Sequence, residues 1–203
     1  MLDTPLRRAL APFIERAARP LAARRIGADA ITLFGLAAGL AAVPLLAFRL
    51  WLPALALILL SRVADGLDGA VARLTAASDR GGYLDIVCDF VFYAAVPFGF
   101  ALAAPSNAVP AAFLIFAFVG TGTSFLAYAV FAAKRGLADP APPATRRSFL
   151  FLGGLTEGSE TIAAFAAFCL FPASFPALAY AFGALCWLTT AARVRAALRA
   201  FRD

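Results

Sequence analysis

Asp65 and Asp68 are spaced i, i+3, and Asp85 and Asp89 are spaced i, i+4, so on helices each pair projects from one face. Five of the twelve acidic residues lie between Ser61 and Phe90, in a chain that is 63% hydrophobic. An ionisable group inside a membrane segment costs about 3 kcal/mol or more, which marks such a cluster as a candidate functional site. Four anions share a small space only if a cation joins them or some are protonated. The chain has no histidine, so any metal work falls to carboxylates, and oxygen ligands favour Mg²⁺, Mn²⁺ or Ca²⁺. One or two Mg²⁺ or Mn²⁺ ions held by aspartates would bind and activate a pyrophosphate. Gly66 and Gly69 flank Asp68, although a mid-helix glycine costs about 1 kcal/mol relative to alanine. Without side chains there, a phosphate or ribose can approach the backbone, and Arg73 and Arg80 are placed to pair with phosphate oxygens.

The elements that must carry these residues follow from composition. With 203 residues, 15% of them charged, and a mean hydropathy of +0.84, the chain reads as an all-α integral membrane protein and not as a soluble domain. Apolar stretches of spanning length occur near 28–49, 51–73, 82–104, 108–133, 149–171 and 173–193. Six transmembrane helices put both termini on one side. Of the eighteen basic residues, all but Arg49 and Arg62 fall before residue 26, in the 73–81 and 134–147 loops, or at the C-terminal end. The positive-inside rule makes that side cytoplasmic, in a multi-pass protein of the cell (inner) membrane. Residues 4–25 carry six arginines and a rough apolar stripe. They are expected to form an amphipathic interfacial helix, kinked or broken by Pro12 and Pro20. The chain is thus read as one catalytic unit over 1–203, with a juxtamembrane segment at 1–26 and a six-helix bundle at 27–203. No cleaved signal peptide is expected, because no apolar core follows the basic start before residue 30.

The second and third spans should pack antiparallel through a connection of about eight residues ending at Gly81 and Gly82. All four carboxylates would then converge within roughly 12 Å of the cytoplasmic face. Basic residues lying between apolar runs do not make a nucleic-acid stripe. Cys88, Cys169 and Cys186 sit in apolar runs without Cys-x-x-Cys spacing and read as buried, inert thiols.

The pattern Asp65, Asp68-Gly69, Ala72-Arg73, Gly81, Asp85, Asp89 resembles the signature of the CDP-alcohol phosphotransferase (phosphatidyltransferase) family, Asp-x2-Asp-Gly-x2-Ala-Arg-x8-Gly-x3-Asp-x3-Asp. Here seven residues separate Arg73 from Gly81, and the shortening falls in a loop, where deletions are tolerated. A second family feature, a Pro-Asn-x-x-Thr opening of the first span, is present here as Ala28-Asp29-Ala30-Ile31-Thr32, with only Thr32 retained. The resemblance implies that an alcohol attacks the lipid-bearing phosphorus of a CDP-linked lipid such as CDP-diacylglycerol, releasing CMP with Mg²⁺ or Mn²⁺, two ions in all. It implies Asp65, Asp68 and Asp85 as metal ligands, and Asp89 as a shared ligand or as the general base. Gly66, Gly69, Ala72 and Arg73, with Thr32, would line or support the nucleotide pocket. A homodimer is also compatible with the resemblance.

Other readings stand beside this one. A membrane hydrolase of the same pyrophosphate would use water as acceptor, and a cation transporter would use the buried carboxylates. A transporter would favour carboxylates near the midplane and repeated halves, and neither is visible. Arg62 can pair with Asp65 at i, i+3, and Asp79 reads as a loop residue or a helix N-cap. Glu157 and Glu160, placed inside the fifth span, admit two readings: an acceptor-alcohol pocket, or structural hydrogen bonding. Arg146 and Arg147 are candidate contacts for a phosphate on the acceptor or a plain cytoplasmic flank. Gly120 to Ser124 is expected to serve close helix packing. The acceptor itself, whether glycerol 3-phosphate, an inositol phosphate, inositol, serine or another polyol, is not encoded in the shared motif. The basic rim leans toward an anionic phospholipid product.

Overall fold

A computed structural model describes residues 3–136 and 156–201. Seven α-helices appear among them: α1 (Asp3–Ala23), α2 (Ala28–Ala47), α3 (Trp51–Leu74), α4 (Asp79–Ala103), α5 (Ala108–Lys134), α6 (Gly158–Leu170) and α7 (Phe175–Ala200). Short 3₁₀ turns at Pro105–Asn107 and Pro172–Ser174 lead into α5 and α7. No strand occurs among the described residues. With their leading turns, four of these helices, at Ala28–Ala47, Asp79–Ala103, Pro105–Lys134 and Pro172–Ala200, are long and apolar enough to cross a membrane. α3 has the length, but its last four turns carry Arg62, Asp65, Asp68 and Arg73.

The packing follows from where small residues fall. Thr32, Gly35, Gly39, Ala42 and Leu46 are buried at three- and four-residue intervals along α2. This narrow stripe lets α3 and α4 approach closely. A Cβ on Gly35 would lie 3.1 Å from Ala64 Cβ and 3.3 Å from the Ser61 carbonyl, and one on Gly39 would collide with the Phe92 ring. α5 pairs with α7 and α4, whereas α3 also contacts α1 and α6. At the far end from the acidic residues the core is aromatic: Phe100 stacks on Phe175 at 4.4 Å and on Trp51 at 5.3 Å, and Phe168 meets both phenylalanines edge-on.

Three expectations need correction. The connection between α3 and α4 is Thr75–Ser78, shorter than eight residues, because Ser78 Oγ accepts from the Gly81 amide at 3.1 Å and starts α4 at Asp79. Gly81 and Gly82 thus lie in the first helical turn. α1 is not broken at Pro12 or Pro20 but runs as one helix through both. The fifth span is not one helix over 149–171: Thr156 and Glu157 are non-helical and α6 begins at Gly158. The cause is a capping box, in which Glu157 accepts from the Glu160 amide and the Glu160 carboxylate accepts from the Glu157 amide at 3.2 Å.

Arg49 takes a left-handed backbone conformation (φ 60°) in the α2–α3 turn. Its guanidinium donates to the Ala103 carbonyl at 3.0 and 3.2 Å, satisfying the end of α4. The small-residue patch on α5 packs within the chain. Gly120 faces Trp187 and Thr190 of α7, and Gly122 faces the Phe90 ring of α4.

Candidate active site

α2 packs against both α3 and α4, whereas α3 and α4 do not pack on each other as the expected antiparallel pair; side chains from the second half of α3 and the first half of α4 meet beside α2. One carboxylate oxygen from each of Asp65, Asp85 and Asp89 can be chosen so that all three lie within 4.8 Å of one another. Oxygens so grouped suit a hard divalent cation. The space among these residues, about 10 Å³, is on the order of a single water or small ion.

Asp68 does not join this triad. Three residues along a helix fall short of a full turn by about 60°, which turns Asp68 toward α2. There Thr32 Oγ1 donates to Asp68 Oδ2 at 2.6 Å, and Asp68 is 4% exposed. The convergence of four carboxylates is thus three plus one, with Asp68 and Asp85 both bordering the small space and an adjoining cleft.

That cleft holds about 180 Å³ and opens between α2, the α3–α4 connection and the start of α4. Thr32, Gly69 and Ala72 line it, together with Gly81, Ala28 and Asp29. Asp29 stands at the asparagine position of the Pro-Asn-x-x-Thr opening. It lies at 3.4 Å from Arg80 Nε, which places this exposed arginine at the rim of the cleft.

Gly66 is placed elsewhere. It faces away from the cleft, and a Cβ there would meet Ile14 Cδ1 of α1 at 3.1 Å. Ile14 belongs to a second apolar cluster, in which Ala18, Ile31, Ala64, Ala70 and Val71 are buried against Leu21 and Leu67. The glycine therefore permits close docking of α1 on α3. Arg73 is exposed one turn beyond Gly69, with Nη1 3.4 Å from where a Cβ at 69 would stand.

Sequence spacing anticipates the Arg62–Asp65 contact, 3.5 Å from Nη1 to Oδ1. It does not anticipate the shorter one, from the same nitrogen to Asp89 Oδ1 at 2.7 Å, which joins α3 to α4.

Away from the triad, Thr156 donates to Thr189 at 3.0 Å, and Arg193 donates to the Thr121 carbonyl at 3.2 Å within electrostatic reach of Glu157. Since Phe90 packs on Gly122, this corner is level with the Asp89 turn of α4. Arg146 and Arg147 lie outside the described residues. The three cysteines are buried and unbridged.

Residues 25–194 match the family model of the CDP-alcohol phosphatidyltransferase. The inner membrane protein YnjF of Escherichia coli K12 is 52% identical over 195 residues, covering 96% of this chain and 94% of YnjF. The crystal structure of the Mycobacterium tuberculosis phosphatidylinositol phosphate synthase PgsA1, with CDP-DAG bound, superposes with a TM-score of 0.64 at 19% identity, covering 91% of this chain and 92% of that one. A family match across the motif helices and most of the chain, on a helical membrane fold that brings Asp65, Asp85 and Asp89 together, leads to one conclusion: this chain belongs to the CDP-alcohol phosphatidyltransferase family.

Proposed function

We propose that the protein transfers the phosphatidyl group of CDP-diacylglycerol to a small alcohol and releases CMP. The observation that carries this reading is the carboxylate triad beside a cleft lined by motif residues, with Asp68 and Asp85 shared between the two. Asp65, Asp85 and Asp89, with Asp68 at the cleft edge, would hold one or two Mg²⁺ or Mn²⁺ ions. A divalent ion bound there would supply positive charge for the pyrophosphate and for the departing CMP. Thr32, Gly69 and Ala72 offer the nucleotide a wall of small side chains. The alcohol oxygen bonds to the lipid-bearing phosphorus, the bond from that phosphorus to the bridging oxygen breaks, and the hydroxyl proton passes to Asp89. CMP leaves with the bridging oxygen.

Acceptor recognition falls to the corner formed by Glu157 and Arg193, with Arg146 and Arg147 as further candidates. α2 to α7 are read as six crossings, with both termini and the site at the cytoplasmic face and α1 in the interface. The distribution of basic residues supports this topology.

The test is CMP release by the purified protein in lipid nanodiscs, given CDP-diacylglycerol and Mg²⁺ against a panel of alcohols, beside Asp89→Asn. Release that requires one alcohol and is lost in the variant supports the transferase. Release without any acceptor would instead establish a hydrolase, and absence of release with every CDP-linked donor would sink the proposal.

A further inference from the structure

Arg62 is a cation placed inside the acidic cluster itself. Its side chain is 10% exposed, and Nη1 alone reaches both Asp65 Oδ1 and Asp89 Oδ1. Nη2 donates to Ser61 Oγ at 3.2 Å, and Ser61 is fully buried. The guanidinium lies 3.9 Å above the Phe92 ring. That ring is itself fixed, fully buried, packed on Phe165 at 6.0 Å and set in the notch at Gly39. Nε is buried and has no hydrogen-bond partner. A buried donor left unpaired is costly. The guanidinium is therefore oriented by its two carboxylates and the ring at the expense of one donor. For helix packing alone, an apolar side chain over Phe92 would serve without leaving a buried donor unpaired.

We propose that Arg62 is a positioning residue for the transfer reaction: a permanent positive charge that holds Asp89 against α3 and limits how strongly the cluster attracts divalent ions. The proposal rests on reading the cluster as the metal site of a transferase. A charge one carboxylate away from a bound ion opposes that ion's binding, because Coulomb energies in a partly buried site remain large. The same charge fixes the Asp89 carboxylate through Oδ1. Removing the charge should therefore tighten metal binding while slowing turnover. Loss of packing alone would not do both.

The experiment titrates Mn²⁺ into detergent-purified protein and reads free Mn²⁺ by electron paramagnetic resonance, with CMP release measured in parallel. Arg62→Gln, and Arg62→Met, which keeps an apolar stem over Phe92, are expected to bind Mn²⁺ at least tenfold more tightly and to turn over at least tenfold more slowly. Arg62→Lys, which keeps the charge, should stay within about threefold of the wild-type Mn²⁺ affinity. Unchanged or weaker Mn²⁺ binding in both neutral variants, or tightening in the lysine variant as well, would overturn the role of Arg62 while leaving the site reading intact. If the wild-type protein binds no Mn²⁺, or binds it equally well as Asp85→Asn, the site reading itself fails and this inference fails with it.

Discussion

The Thr32 hydroxyl donates to Asp68 Oδ2 at 2.6 Å, tying the opening of α2 to the motif aspartate of α3 that stands outside the triad. It reaches across 36 positions in the chain and fixes the wall of the cleft on which both residues lie. Thr32→Val keeps the shape and removes the donor, leaving a buried carboxylate oxygen short of a partner at a cost of about 1–3 kcal/mol. Thermal unfolding should show this loss, and CMP release should fall mainly through a higher KM for the CDP-lipid. Thr32→Ser should restore both.

Asp85 belongs to the triad and borders both the small space and the cleft. Asp85→Asn should lower CMP release by on the order of 10²–10³-fold, with thermal stability little changed. EDTA should abolish wild-type release, and Mn²⁺ should restore it. Activity persisting through exhaustive chelation would rule out the metal.

Two glycines predict opposite outcomes from the same substitution. A Cβ at Gly122 would run into the Phe90 ring, whereas one at Gly82 has nothing within 4 Å. Gly122→Ala should destabilise the protein by about 1–3 kcal/mol through overpacking. Gly82→Ala should be neutral or stabilising by about 0.5 kcal/mol. Melting curves in detergent read the difference directly.

Glu157 caps α6 through a reciprocal box with Glu160. Glu157→Ala should cost about 1 kcal/mol, and Glu157→Ser, a stronger N-cap, should recover it. Comparing the KM for the alcohol in the serine variant with the wild type then isolates any part the carboxylate plays in acceptor binding. A serine variant as unstable as the alanine one would show that the cap contributes nothing.

Much of the site is legible in the motif spacing. The four-residue interval puts Asp85 and Asp89 on one face of α4, where both join the triad, and the three-residue interval puts Gly69 and Ala72 on one cleft, whereas the same interval from Asp65 to Asp68 turns Asp68 aside to Thr32. The spacing is silent wherever the partner lies on another helix. Nothing within α3 says that Arg62 bonds Asp89 more closely than Asp65, or that Gly66 looks toward Ile14 and not toward a nucleotide. Both depend on how far each helix is rotated, and packing between helices sets that rotation. The fifth span departs from its expected bounds for a different reason. Hydropathy carries an apolar run through Gly153, Gly154 and Thr156 without a break, whereas a reciprocal pair of glutamates starts the helix at Gly158.

The seat of Ile14 on Gly66 has a consequence for the N-terminal segment. The turn of α3 that presents Asp65 to the triad presents its other side to α1, so the two sides share one rigid backbone. α1 is thereby the roof of the catalytic turn as well as its neighbour. A shortened chain lacking α1 would bare a side-chain-free notch directly behind the turn that carries Asp65, and the damage is expected to register as lost CMP release before it registers as lost membrane association.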